Sequence, residues 1–197
     1  MPTAVLLGGN GYLGREVTRQ WLQQEPNLAV YVLSRSGHNQ LQDPRLTNLT
    51  ADVTTPAALA AVLPANIDYI VDFIGAPQKD PAQLKRLNQL PAQSMRAVAE
   101  AKHVRAMGFV GGVLGPKSFI QVKKACLADL KQSPIPLAYV APTVIYGGGR
   151  DDALAKMVPL LKLGGFFNRN LRPVRVEDVA EDLIAQLRHA GEGHDEN

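Results

Sequence analysis

The sequence predicts an α/β fold: a doubly wound parallel sheet with helices on both faces, in a single domain. Three observations lead there. Short continuous apolar runs alternate with helix-period segments from end to end, the first run closes in a glycine-rich turn that opens a helix, and no composition break marks a linker.

Thr3–Leu7 is apolar throughout and ends in glycines, as a buried parallel strand should. Tyr12–Gln23 then reads as a helix, with Leu13, Val17 and Trp21 on one face. A second strand, Ala29–Leu33, ends at Ser34-Arg35-Ser36-Gly37. Leu46–Ala51 is a weaker third strand, followed by Asp52. Thr55 before Pro56 signals a helix start, as does Asp80 before Pro81. Between them Tyr69–Ile74 is the fourth strand, closing at Gly75-Ala76-Pro77. Pro91 is expected to break or kink the helix begun at Pro81, which resumes over Ala92–Lys102. Met107–Val110, a helix over Phe119–Gln132 and the strand Leu137–Ala141 continue the alternation. Two helices follow, near Asp152–Leu163 and Glu177–Arg188, with an extended piece at Arg172–Val176 between them. The domain is read as residues 1–190, with a polar, disordered tail over 191–197.

Composition narrows the function classes. No apolar run approaches the roughly 18–20 residues of a membrane span, and Met1-Pro2-Thr3 opens neither a signal nor a transit peptide. A cytoplasmic location is expected. The net charge of +3 comes from 21 basic and 18 acidic residues spread along the chain, and short clusters such as Lys85-Arg86 and Lys123-Lys124 read as solvated helix faces. Nucleic acid is therefore not expected as a partner. The single Cys126 allows no internal disulfide, and neither it nor the four histidines has metal-site spacing, so no metal is expected. Cys126 reads as a small buried hydrophobe rather than a nucleophile.

Gly8, Gly11 and Gly14 stand three apart between a strand and a helix. The first permits a tight turn, the second lets backbone approach a pyrophosphate, and the third permits close helix–strand packing. The helix start then offers free N–H groups and a positive dipole end to the phosphates. With strand, turn, helix and second strand in order, the reading is a Rossmann-type dinucleotide-binding domain, with Gly8, Asn10, Gly11, Tyr12, Leu13 and Gly14 at the cofactor. The second strand ends in Ser34-Arg35 rather than in the Asp or Glu of an NAD-selective site. Arg can hold a 2′-phosphate bidentately, so NADP(H) is favoured over NAD(H), the alternative being an Arg35 merely solvated at a strand end.

With these residues the sequence resembles atypical and extended members of the short-chain dehydrogenase/reductase superfamily, which include NAD-dependent epimerase/dehydratase-like and NmrA-like proteins. Asp52-Val53 looks like that family's Asp-Val pair at the adenine. Ile74, Gly75 and Ala76 match a small-residue segment laid along the cofactor, and Asn88 fits the Asn of the long fourth helix. Phe119-Ile120-Gln121-Val122-Lys123 takes the place of Tyr-x-x-x-Lys. Ala141-Pro142-Thr143-Val144-Ile145-Tyr146-Gly147 looks like Arg-Pro-x-x-x-Tyr-Gly, adding Pro142, Thr143 and Val144 to the cofactor set. Arg172–Ala180 resembles a Pro-Val-His-Val-x-Asp-Val-Ala segment.

The departures bear on chemistry. The resemblance implies a Tyr acid/base where Phe119 stands, and a Ser or Thr where Gly111-Gly112 stands. Phe119 has no proton to give. Lys123 remains as the ribose-binding remnant, and Tyr146 is weighed as a substitute donor against a packing role. The loop before Phe119 is short. Three functions stay open: an NAD(P)(H)-binding sensor, regulator or assembly partner; an NADPH-dependent reductase of a flavin or quinone, with Gly111-Gly112 leaving space for a flat acceptor; and an interaction module with a vestigial site. Oligomeric state is not legible.

Overall fold

The computed structural model describes residues 1–148 and 173–193. The helix expected near Asp152–Leu163, Arg172 and the tail beyond Gly193 lie outside the described residues. Six strands come from the apolar runs: β1 (Thr3–Leu7), β2 (Ala29–Leu33), β3 (Leu46–Leu49), β4 (Tyr69–Asp72), β5 (Ala106–Val110) and β6 (Leu137–Val140). Helices α1 (Tyr12–Gln24), α2 (Pro56–Val62), α3 (Pro81–Lys102), α4 (Lys117–Leu130) and α5 (Val176–Glu192) lie among them, with a separate short pair β7 (Ile145–Tyr146) and β8 (Val174–Arg175).

The six strands pair in the order β3-β2-β1-β4-β5-β6, all parallel. This is the Rossmann-type order expected. Its topological switch lies between β1 and β4, and in such sheets ligands bind beyond the carboxyl ends of the strands at that point. Side chains alternate across the sheet. Ala4 and Leu6 face a core with Leu13, Val17 and Trp21 of α1 and Leu183 and Leu187 of α5. Val5 and Leu7 face the other core, with Leu59, Met95, Val98 and Leu130 of α2, α3 and α4. Both faces are thus covered, which is why the strands read as unbroken apolar runs. No helix among the described residues is long and apolar enough to cross a membrane.

Helix starts follow local chemistry. The Asp80 carboxylate accepts from the N–H groups of Ala82 and Gln83, at 2.7 and 3.2 Å, and Pro81 sits at the first helical position. Of the break or kink expected at Pro91, the break does not occur: α3 runs through it as one helix of 22 residues. Proline removes one hydrogen bond, but Pro91 is buried on the face that carries Leu84, Asn88, Met95 and Val98 against α4 and the sheet. Tertiary packing keeps the helix whole.

Trp21 anchors the α1 side. It is fully buried, its indole N–H donates to Glu25 at 3.1 Å, and its ring lies tilted on Tyr69 at 5.3 Å. Trp21→Ala is expected to lower stability by about 3–5 kcal/mol, the usual loss for a large buried aromatic. Urea unfolding measures it; a loss under about 1 kcal/mol would mean that the α1–α5 face is not packed this way.

Candidate functional site

The site is built from the turn between β1 and α1. Gly8 has φ +76°, a conformation glycine tolerates, and it donates to the Leu33 carbonyl at 2.8 Å. A Cβ on Gly14 would stand 2.6 Å from the Gly9 Cα. Helix and strand exit meet there backbone to backbone. Gly11 at the N-cap is exposed and no side chain caps α1, so the first N–H groups of the helix face outward from a turn without bulk.

Asn10 ties this turn to the exit of β2. Its amide donates to the Ser34 hydroxyl at 2.8 Å and to the His38 carbonyl, while the Gly37 N–H reaches Ser34 at 3.1 Å. Ser34 is therefore a loop-closing residue, and Arg35 beside it is exposed. After β3, the exposed Asp52 accepts from the Thr54 N–H and hydroxyl at 2.9 and 2.6 Å, and these bonds hold its carboxylate below the usual range. Val53 packs against the core beneath.

The exit of β4 carries the most unusual group. Lys123 of α4 is only 4% exposed. Its ammonium donates to the Ile74 carbonyl at 2.9 Å and lies 4.6 Å from the centre of the Phe109 ring. A Cβ on Gly75 would strike Lys123 Nζ at 2.6 Å, so a side chain there would have to push the lysine aside. Asn88 donates to the carbonyls of Ala76 and Leu84, at 3.0 and 2.8 Å, which pins the same segment from α3. Asp72, fully buried at the end of β4, accepts from the Ile74 N–H at 2.8 Å. Burial pushes its carboxyl up to about 6 against the pull of Lys123, and burial likewise lowers the Lys123 ammonium. One oxygen each of Asp72 and Asn88 is buried without a partner among the described residues. Cys126 is also buried, its thiol pushed up to about 11 by desolvation, so no reactive thiolate stands here.

Beyond β5 the volume a side chain at position 111 would take is occupied. A Cβ on Gly111 would meet the Tyr139 ring at 2.8 Å and its hydroxyl closer still, and one on Gly112 would touch Phe119 at 3.4 Å. Further on, Pro142, Thr143 and Val144 are half-buried, and the Val144 carbonyl accepts from Val174 at 3.0 Å as β7 pairs with β8. Tyr146 lies half-buried in that pair. The Tyr12 hydroxyl donates to the Gly147 carbonyl at 2.6 Å, and Glu177 of α5 accepts from the Gly148 N–H.

The structure thus joins the glycine turn to Ser34 through Asn10, to Ile74 through Gly8, and to Gly147 through Tyr12. Lys123 joins the Ile74–Ala76 segment from below. Asp52 bonds within its own turn. Sequence reasoning passed over Gly9, whose Cβ would meet Leu6 and Val32 at 3.0 Å, as well as Asp72, Phe109 and Tyr139.

The NAD dependent epimerase/dehydratase family model matches residues 4–128, well over half of the chain. No curated protein sequence matches. Among solved structures, the chain is similar to Bordetella bronchiseptica WbmH in complex with NAD+ (14% identity, TM-score 0.73, covering 95% of this chain and 72% of that one). It is similar also to a UDP-glucose 4-epimerase (16%, 0.77, 97% and 74%). Bordetella bronchiseptica WbmG in complex with NAD is a third (18%, 0.67, 82% and 60%). At such identities the likeness shows the fold.

These findings correct the expected preference for NADP(H), since the similar structures solved with a dinucleotide hold NAD. The physical reason lies at Ser34-Arg35. The hydroxyl is committed to Asn10 and Gly37, and the guanidinium is a solvated strand-end group that no bond fixes among the described residues.

Asp72 also sets a pH dependence. Its folded pKa of about 6 lies above the ordinary carboxyl value of 3.8, so the folded state takes up the proton first. Its contribution to stability is then fully present below about 3.8 and is lost as pH rises through about 6. Wild type should therefore gain stability relative to Asp72→Asn as pH falls from 7.5 to 5. Urea midpoints at the two pH values measure this; an unchanged difference would mean that the carboxyl is not desolvated.

Proposed function

The chain belongs to the NAD dependent epimerase/dehydratase family, and from that premise we propose that it is an NAD(H)-binding protein acting as a nucleotide-responsive regulator or assembly partner. The observation that carries the reading is the turn from Gly8 to Gly14, where an uncapped helix start meets a surface without side-chain bulk. These residues fit a dinucleotide. The N–H groups of Gly11 to Gly14 would receive the diphosphate at the positive end of α1. The Ile74-Gly75-Ala76 segment, backed by Lys123, would lie along the nucleotide. When bound, the dinucleotide supplies hydride donor or acceptor chemistry.

A regulatory role rather than Tyr-dependent carbonyl chemistry is supported by Phe119, which stands where the family resemblance puts the acid/base and carries no proton. Lys123, committed to Ile74 and Phe109, has no phenol at position 119 to act upon.

Calorimetry with NADH tests the reading. Wild type should bind, and Gly11→Val should bind at least about tenfold more weakly, near 1.4 kcal/mol. A Cβ at position 11 meets only the Gly8 carbonyl, at 3.1 Å, and its φ of −68° suits any residue, so the variant should fold. NADH absorbance should stay constant when flavins and quinones are added. No binding heat with wild type would sink the proposal, and steady oxidation would replace regulation with catalysis.

A further inference from the structure

Asp72 closes β4 on the face turned to α3 and α4, since side chains alternate along a strand and Ile70 lies in that core. Its carboxyl is fully buried. One oxygen accepts from the Ile74 N–H at 2.8 Å, and the other has no partner among the described residues. Lys123 holds the opposite end of the same residue by donating to the Ile74 carbonyl. Ile74 in turn stands against the glycine turn: a Cβ on Gly8 would lie 2.9 Å from its Cγ1 and 3.5 Å from its nitrogen. The carboxyl is thus one hydrogen bond away from a residue packed on that turn.

Few charges act on it. α4 brings the Lys123 ammonium and the Cys126 thiol, and α3 brings the uncharged Asn88 to the same segment. The register partners on β1 and β5 are Leu7 and Phe109. Asn88 adds a second buried oxygen without a partner among the described residues, so acceptors outnumber the donors that reach them. A buried carboxylate with one oxygen unbonded is costly, and a proton removes that cost. Burial pushes the carboxyl up and Lys123 pulls it down, which leaves it at about 6.

From this arrangement we infer that Asp72 couples the nucleotide site to pH: its buried carboxyl takes up a proton when the anionic dinucleotide settles on the glycine turn. The inference rests on the reading of that turn as a dinucleotide site and names how the site is regulated.

The coupling follows from charge. The diphosphate is doubly anionic, and an ionised Asp72 repels it. A protonated Asp72 instead leaves the Lys123 charge uncompensated beneath the Ile74–Ala76 segment, where it attracts the diphosphate. Salt screens groups buried this deeply far less than it screens surface charges. Nucleotide and proton therefore favour each other, and each raises the affinity for the other by the same factor. Moving the carboxyl pKa by about one unit corresponds to about tenfold in affinity. The proton comes from the buffer, forms an O–H bond on Asp72, and returns to the buffer when the nucleotide leaves.

The test is calorimetry of NADH with the whole protein, run in PIPES and in Bis-Tris, whose different ionisation enthalpies make the difference in heat a count of protons. Wild type should take up about half a proton near pH 6.5 and almost none near pH 8, and should bind about threefold more tightly at the lower pH. Asp72→Asn keeps an oxygen for the Ile74 N–H and cannot titrate. It should bind NADH without proton uptake and with the same affinity at both pH values. A measurement on wild type alone decides if that variant does not fold. The Asp72 carboxyl carbon, followed by NMR, should titrate near pH 6 and move up by about one unit with NADH bound. Uptake that survives in Asp72→Asn, or a carboxyl midpoint that NADH leaves in place, overturns the inference. Binding by wild type without proton uptake strikes the inference alone, whereas no NADH binding at either pH strikes the proposed function and this inference with it.

Discussion

The backbone contact between Gly14 and Gly9 is the constraint on which the rest of the domain depends. With a Cβ at position 14 only 2.6 Å from the Gly9 Cα, α1 can dock on the exit of β1 only while position 14 lacks a side chain. That docking sets the uncapped helix start above the strand ends. It also aims Leu13, Val17 and Trp21 at the core shared with α5. Gly9 passes the constraint on, since its own Cβ would crowd Leu6 and Val32 on β1 and β2. One close approach thus links the dinucleotide turn to the packing of an entire sheet face.

A second line of contacts runs along the carboxyl edge, from Gly75 over Lys123 to Phe109, then to Tyr139 and Gly111. A glycine stands at each end because the large side chains between them leave no room. The buried ammonium would be costly alone. A carbonyl, the face of an aromatic ring and a nearby carboxyl offset that cost without cancelling it, as the lowered Lys123 pKa indicates. Buried acceptors on Asp72 and Asn88 that lack partners leave this edge polar inside and less tightly satisfied than the apolar layers around it.

Much of this was legible in the sequence because it is local. Apolar runs, the glycine spacing and the Thr55-Pro56 and Asp80-Pro81 starts depend on neighbours within a few residues. Each appears as an element boundary in the fold, to within a residue or two. Pro91 does not end its helix because burial of that helix face outweighs one missing hydrogen bond. Arg35 misled because a residue type was read without its surroundings, and those show Ser34 already bonded. Charge pattern alone put Lys123 on a solvated helix face, while the family resemblance put it at the cofactor; its acceptor lies 49 residues earlier. Tyr139 was invisible for the same reason. Its partners come from the register between β5 and β6 and from a glycine 28 positions upstream in sequence, neither of which leaves a local pattern.

The hydrogen bond from Tyr12 to Gly147 spans 135 positions, and that from Gln20 to Glu177 spans 157. The helix that opens the nucleotide turn therefore completes its contacts only when α5 arrives. Closing loops of this length makes folding slow compared with a helical bundle of equal size. During synthesis the apolar stripe of α1 emerges well before α5, which leaves that face open to chaperones or to wrong partners until α5 has left the ribosome.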